Sequence, residues 1–183
     1  LFFYGFRSSH EIFKIKQLTP DHIRQVINEE KLLEAIRLYR QATEADPTSA
    51  IAHSRLAGVL LFLGEHDEAE PYIFKALSLD PNLSEVQNTL GVYYWAKGLP
   101  EARTAWQRAV ELDPYNADAL ANYAYLVSIS LQNAQSGTGT PVAAELYRRA
   151  LEADPLSLER HAALGQDAPN ARPRVSIPVQ QNE

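Results

Sequence analysis

The dipeptide Asp-Pro occurs four times at nearly even spacing, and this repetition restricts the fold more than any other feature of the sequence. The copies lie 34, 33 and 41 residues apart, at Asp46-Pro47, Asp80-Pro81, Asp113-Pro114 and Asp154-Pro155. A period of about 20 to 50 residues is typical of stacked repeats, each too small to bury a core alone. The sequence therefore predicts a repeat array.

Each Asp-Pro follows a stretch with helical periodicity. An alanine is followed four residues later by a bulky residue and three residues after that by another alanine, which places all three on one helix face. The four sets are Ala35/Tyr39/Ala42, Ala69/Ile73/Ala76, Ala102/Trp106/Ala109 and Ala143/Tyr147/Ala150. Proline cannot donate a backbone hydrogen bond and disfavours helical geometry at the preceding residue, so each Asp-Pro predicts a helix end.

A second helix is indicated before each of these stretches in the central part of the chain. Its inward face combines large apolar residues with one small residue, Ala57, Gly91 or Ala124, which lets two helix backbones approach closely. Turn signals at Gly64 and Gly98 separate the two helices. Each unit therefore predicts a helical hairpin.

This pattern resembles the tetratricopeptide repeat (TPR) family, and the resemblance covers roughly residues 17–165. It implies an all-α solenoid of helical hairpins, wound as a right-handed superhelix. We expect a partial repeat at 17–49, full repeats at 50–83, 84–116 and 117–157, a loop insertion at 131–141 and a capping helix at 158–165. Residues 17–49 lack a glycine turn, so one longer helix is an open alternative there. The large aromatic residue usual near the start of the family's first helix is replaced by His53, Gln87 and Leu120.

The segments outside the array differ from it in composition. Residues 1–16 are apolar and aromatic at their start and carry three basic residues and one acidic residue, whereas residues 17–157 carry 11 basic and 19 acidic residues. We expect residues 1–16 to be a docking arm, with the remnant of a membrane anchor as the alternative. Residues 166–183 contain three prolines and no helical stripe, so we expect an extended or disordered tail. The sequence has no Met, which predicts a processed chain or part of a longer one.

Several kinds of chemistry are excluded or disfavoured. The absence of Cys removes disulfides, thiolate metal sites and cysteine nucleophiles. His10 is followed four residues later by Lys14 and not by a second His, and Gly137-Thr-Gly-Thr lacks the lysine of a phosphate loop. The acidic cluster around His66 fits a solvated helix start better than a metal site. We therefore predict a non-enzymatic protein with no catalytic residue, no metal and no cofactor.

Charge and hydropathy restrict the partners. The formal net charge of −6 would repel a phosphate backbone, so we predict no nucleic-acid partner. No run of about 20 apolar residues forms a complete membrane span. The composition fits either a cytoplasmic or a membrane-associated location and does not choose between them.

The family resemblance implies where a protein partner would bind. Ligands of TPR proteins contact the second, fifth, ninth, twelfth and thirteenth places of each repeat, on the first helix. These places define the predicted groove residues: Ile51, Ser54, Leu61, Phe62, Glu85, Asn88, Val92, Trp95, Asp118, Ala121, Tyr125, Ser128 and Ile129, with Gly58 and Ala96 at the two remaining places. Exposed apolar strips mark partner sites, and Trp95 is the predicted anchor. The alternative is that these residues pack on a neighbouring hairpin or under the protein's own tail.

These features predict a scaffold or adaptor that binds an apolar or weakly basic peptide or helix in a concave groove, within a larger assembly. Family members that bind chaperone C-termini share a clamp of Lys, Asn and Arg. The mapped places here hold Ser54, Gly58, Thr89, Asp118 and Asn122, which argues against such a tail. Two alternatives stay open: a targeting domain of a longer enzyme, and a structural subunit of a membrane-associated complex joined through residues 1–16.

Overall fold

The computed structural model describes residues 20–132 and 140–154, and within them the chain forms seven helices and no strand. The helices are α1 (Pro20–Ala45), α2 (Ala50–Leu63), α3 (His66–Leu79), α4 (Ser84–Ala96), α5 (Ala102–Leu112), α6 (Ala117–Gln132) and α7 (Thr140–Ala153). The predicted all-α array of hairpins is confirmed. The expected arm at 1–16, the capping helix at 158–165 and the tail at 166–183 lie outside the described residues.

Two compact units divide the chain, at residues 1–34 and 35–183. The described part of the first unit is the beginning of α1. Helix α1 is continuous for 26 residues, so the region 17–49 contains one long helix, the alternative that the missing glycine turn left open.

The second unit contains three antiparallel hairpins, formed by α2 with α3, α4 with α5, and α6 with α7. The first helices pack side by side, α2 on α4 and α4 on α6. Each second helix also contacts the first helix of the next hairpin, α3 on α4 and α5 on α6. Every hairpin therefore buries its apolar face on a neighbour, as expected for a solenoid.

Glycine ends the first helix in two of the hairpins. Gly64 and Gly98 adopt positive φ angles of 85° and 71°, which side chains with a Cβ disfavour. The amide of Gly64 donates to the carbonyl of Leu61, and the next amide donates to the carbonyl of Leu60. Gly98 makes the equivalent bond to Trp95, so both glycines form Schellman caps.

The aspartates of the Asp-Pro pairs close the second helices. Their amides donate to the carbonyls of the alanines four residues earlier at 2.9–3.0 Å; the alanines are Ala42, Ala76, Ala109 and Ala150. The carboxylates of Asp46, Asp80 and Asp113 also accept the amide N–H of the residue two places later, at 2.9–3.0 Å. This side-chain bond forms an Asx turn, which directs the chain into the next helix.

A close approach between helices lies in the second hairpin, where Gly91 of α4 faces Trp106 of α5. A Cβ at Gly91 would lie 2.5 Å from the indole ring, which is too close for a real contact. Trp106 is fully buried, and its indole N–H donates to the carbonyl of Asn88 at 3.2 Å. At about 25 cal/mol per Å² of buried apolar surface, an indole of 150–250 Å² contributes several kcal/mol.

We expect Gly91→Ala to destabilise the fold by about 2 kcal/mol in urea unfolding. The added methyl group must displace a buried indole, and overpacking outweighs the helix propensity gained by alanine. The same substitution in a Trp106→Leu background should cost less. Equal costs in both backgrounds would contradict the role assigned to this contact.

A second expectation concerns the first Asp-Pro turn. The hydroxyl and the amide of Thr48 hold the pKa of the Asp46 carboxyl below its usual value. The turn therefore stabilises the fold above about pH 4, and this contribution is lost as the pH falls through the lowered pKa. Thr48→Val should raise the pKa of Asp46 in a carbon-13 NMR titration, whereas Thr43→Val should leave it unchanged. An unshifted Asp46 in the first variant would contradict this assignment.

Candidate functional site

The first helices α2, α4 and α6 share a face turned away from their hairpin partners. In α4, Gly91 faces α5, Thr89 faces α2 and Asn88 faces α6. At 100° per residue, Glu85, Val92 and Ala96 lie on the helix surface between the directions of Asn88 and Thr89, away from Gly91. The same places are Ile51, Gly58 and Phe62 in α2, and Asp118, Tyr125 and Ile129 in α6. We call these nine positions, with the adjoining Arg55, Trp95 and Ser128, the inner face.

The structure divides the thirteen predicted groove residues into two groups. Eight keep exposed surface: Ile51, Phe62, Glu85, Trp95, Asp118, Tyr125, Ser128 and Ile129. Five are buried at 0–6% exposure: Ser54, Leu61, Asn88, Val92 and Ala121. Contact with a partner stays a prediction for all thirteen, but in this arrangement only the first group has surface to offer.

Polar side chains join the first helices beneath the inner face. The hydroxyls of Ser54 and Thr89 lie 2.9 Å apart between α2 and α4. Between α4 and α6, the amide of Asn122 donates to the side-chain oxygen of Asn88 at 2.9 Å. Buried polar groups are costly unless paired, so these bonds fix how each first helix aligns with the next. Ser54 and Asn88 thus have a structural role that the mapping from sequence missed.

Arg55 is a further residue that the sequence mapping missed. Its Nε lies 3.0 Å from the carboxylate of Glu85 and bridges α2 and α4 across the inner face. Burial works to lower the pKa of Arg55, but the hydrogen bond and charge of Glu85 outweigh it and raise that pKa. Burial also raises the pKa of Tyr39, which hydrogen-bonds with Arg55 from the end of α1. The sequence did contain a signal for this ion pair, because Arg55 and Glu85 are opposite charges on the first helices of successive repeats.

An aromatic pair occupies the inner face between α4 and α6. The rings of Trp95 and Tyr125 meet edge to face, with centroids 5.6 Å apart and planes at 75°. Trp95 also contacts the buried ring of Trp106, with centroids 6.0 Å apart. Both members of the pair are half-buried, so each presents ring surface. Trp106 restricts the orientation of Trp95, and the edge-to-face contact restricts that of Tyr125.

Two other kinds of site, a metal centre and a membrane span, were considered for the described residues. In residues 20–132 and 140–154, no group of three or more His, Cys, Asp or Glu residues lies close enough to hold a metal ion. No helix in those ranges combines the length and the apolar character needed to cross a membrane.

Comparisons with known proteins agree on the type of repeat. A family model described as "Tetratricopeptide repeat" matches residues 27–92, from within α1 into α4. The small glutamine-rich tetratricopeptide repeat-containing protein 2 of Mycosarcoma maydis is 32% identical over an alignment of 116 residues, and the match covers 61% of this chain. This chain spans about a third (33%) of that relative's length.

Two solved structures have a similar arrangement of helices. A crystal structure of MamA is 22% identical with a TM-score of 0.47, covering 81% of this chain and 82% of MamA. The crystal structure of YrrB, described as a TPR protein with an unusual peptide-binding site, is 24% identical with a TM-score of 0.47. It covers 76% of this chain and 67% of YrrB.

The contact between Asn88 and Asn122 can be tested by unfolding. Asn122→Ala removes a donor from a buried amide oxygen, so we expect a loss of about 1 to 3 kcal/mol in the free energy of unfolding. Ser128→Ala is the matched control, because the Ser128 hydroxyl bonds only within α6 to the carbonyl of Tyr125. An Asn122→Ala protein as stable as the control would contradict the proposed alignment role.

Proposed function

Because this chain belongs to the tetratricopeptide repeat family, we propose that it is a non-enzymatic interaction module whose inner face holds a segment of another protein. The observation that carries the proposal is the contact between Trp95 and Tyr125. Half-exposed aromatic side chains held in a fixed orientation are typical anchors of protein interfaces.

The proposed partner segment is apolar. In the C-terminal halves of the first helices, the inner face presents Phe62, Trp95, Tyr125 and Ile129, all partly exposed. Contact between such side chains and an apolar segment removes apolar surface from water on both partners.

The small size of Ala96 supports the same partner. Ala96 is exposed, and the equivalent places of the neighbouring first helices carry the larger Phe62 and Ile129. We infer that a small residue between two larger ones leaves a depression with space for one apolar side chain of the partner. We propose that a leucine or aromatic residue enters this depression beside Trp95.

Charge contributes less to this interface than apolar contact. Glu85 is paired with Arg55, so its charge is largely compensated. Asp118 also makes an interaction within the protein. We therefore favour an apolar peptide or helix over a weakly basic one. An acidic chaperone tail is not proposed, because Glu85 already engages the guanidinium of Arg55.

Membrane-complex association through residues 1–16 stays a prediction, because those residues lie outside the described ones. The larger assembly expected from the sequence is likewise a proposal about the whole protein.

Selection of peptides from a random display library, followed by fluorescence titration, tests the proposal. Trp106 is buried and the chain has only two tryptophans, so Trp95 should report binding. We expect selected peptides to be rich in apolar residues. Trp95→Ala should weaken binding by about 2 kcal/mol, or about thirtyfold, when measured by calorimetry.

Phe62→Ser and Ile129→Ser test the surface independently, since neither residue takes part in the aromatic pair. Phe74→Ala and Tyr115→Ala are the controls, because both are exposed aromatic residues outside the inner face. Circular dichroism melting verifies that each variant is folded. Full affinity in all three inner-face variants, or a loss confined to the control variants, would refute the proposal.

A further inference from the structure

A separate pocket opens on the other side of α4, between α4 and α5. Leu90, Tyr94 and Ala105 form its apolar part, and Leu90 and Ala105 are almost fully buried. The pocket has a volume of about 450 Å³, within the range usual for binding sites. Leu90 and Tyr94 lie about half a helical turn from Val92, so this second-hairpin pocket is distinct from the inner face.

The register of the repeats identifies what fills the same place in the other hairpins. Alignment of the alanine stripes puts Tyr72, Ala105 and Leu146 at one position of the second helices. The facing position of the first helices holds His53, Gln87 and Leu120. Of these three residues of the second helices, Ala105 in the second hairpin is the smallest.

In both neighbouring hairpins this place is filled by side chains of the protein itself. The rings of His53 and Tyr72 stack with centroids 6.1 Å apart and planes at 27°. Leu120 and Leu146 are both buried in one apolar cluster of the third hairpin.

The second hairpin lacks such a filling. Ala105 is too short to replace the ring of Tyr72, and the side-chain amide of Gln87 donates to the carbonyl of Pro81 at 2.7 Å. The pocket therefore lies where the first hairpin has an aromatic ring and the third hairpin has a leucine.

We propose that the second-hairpin pocket binds an aromatic side chain of a partner protein, with basic residues beside it in the partner sequence. The edge and face of Tyr94 can pack against the incoming ring, as in other aromatic pairs. The same position in the first hairpin holds the ring of Tyr72, so a tyrosine side chain fits the spacing of the two helices.

The charges at the rim indicate the basic flanks. Glu101, Glu111 and Arg108 line the opening. Arg108 is paired with Glu111 at 3.6 Å and also donates to Asn82. Glu101 is exposed and adds a further negative charge, so the rim favours cationic neighbours of the aromatic residue.

The probe for the test is the capped tripeptide acetyl-Lys-Tyr-Lys-amide, titrated into the full nitrogen-15-labelled chain and followed by amide chemical shifts. We expect saturable shifts at Leu90, Tyr94 and Ala105. Acetyl-Lys-Ala-Lys-amide should bind about tenfold more weakly, because it lacks the ring. Acetyl-Glu-Tyr-Glu-amide should also bind more weakly, because the carboxylates of the rim repel it.

Variants separate this pocket from the inner face. Ala105→Tyr fills the pocket with the ring seen in the first hairpin and should abolish the shifts. If the Ala105→Tyr protein does not fold, Ala105→Leu, which copies the third hairpin, should have the same effect. Arg103→Tyr adds the same ring to an exposed position of α5 outside the pocket lining and should leave binding unchanged. Trp95→Ala should also leave it unchanged.

Three results would overturn the proposal. They are the absence of saturable shifts, unchanged tripeptide binding in a folded Ala105 variant, and shifts that map to Trp95 and Tyr125 and disappear in Trp95→Ala. Each of these results leaves the inner-face proposal intact, since that proposal is tested with different peptides and different variants.

Discussion

The contact between a small residue on each first helix and a large residue on its hairpin partner determines how closely the helices pack, and the other features depend on it. Gly91 meets Trp106 in this way. Alignment of the repeats puts Ala57 with Ile73 and Ala124 with Tyr147 at the same positions. The smallest residue faces the largest, because an indole fits against α4 only where no Cβ is present. This complementarity places Trp106 beneath Trp95, so the core of the second hairpin supports the aromatic pair on the inner face.

Polar bonds between the first helices add a different kind of constraint. Apolar packing alone tolerates small shifts between neighbouring helices, whereas a buried hydroxyl or amide must meet its partner within hydrogen-bond distance. The contacts of Ser54 with Thr89 and of Asn88 with Asn122 therefore align α2, α4 and α6. The exposed inner-face residues inherit this alignment, which holds Trp95 against Tyr125 before any partner arrives. A preorganised surface loses less conformational entropy on binding.

Much of the candidate site could be predicted from the repeat pattern, and the remainder could not for identifiable reasons. The mapping placed Phe62, Trp95, Tyr125 and Ile129 on one surface because places in a repeat translate directly into helix phase. It did not separate them from Ser54 and Asn88, which lie at neighbouring phases but are covered by the adjoining helix. Whether a residue at the edge of a face is exposed depends on the size of side chains in another repeat. The pairing of Arg55 with Glu85 was missed for the same reason, since it joins residues 30 positions apart.

The sequence by itself determined the helices, their ends and their pairing, because these depend on short-range rules. The Asp-Pro pairs end helices through a missing donor and an Asx turn, and Gly64 and Gly98 end them through positive φ angles. Only the tertiary structure decided which polar residues are buried and where space is left unfilled. The pocket beside Ala105 illustrates this, since the repeat containing Ala105 does not by itself show whether a side chain of the facing helix fills the space that the alanine leaves. Packing between segments distant in sequence is set by the combined volumes of all the contacting side chains, which no single repeat contains.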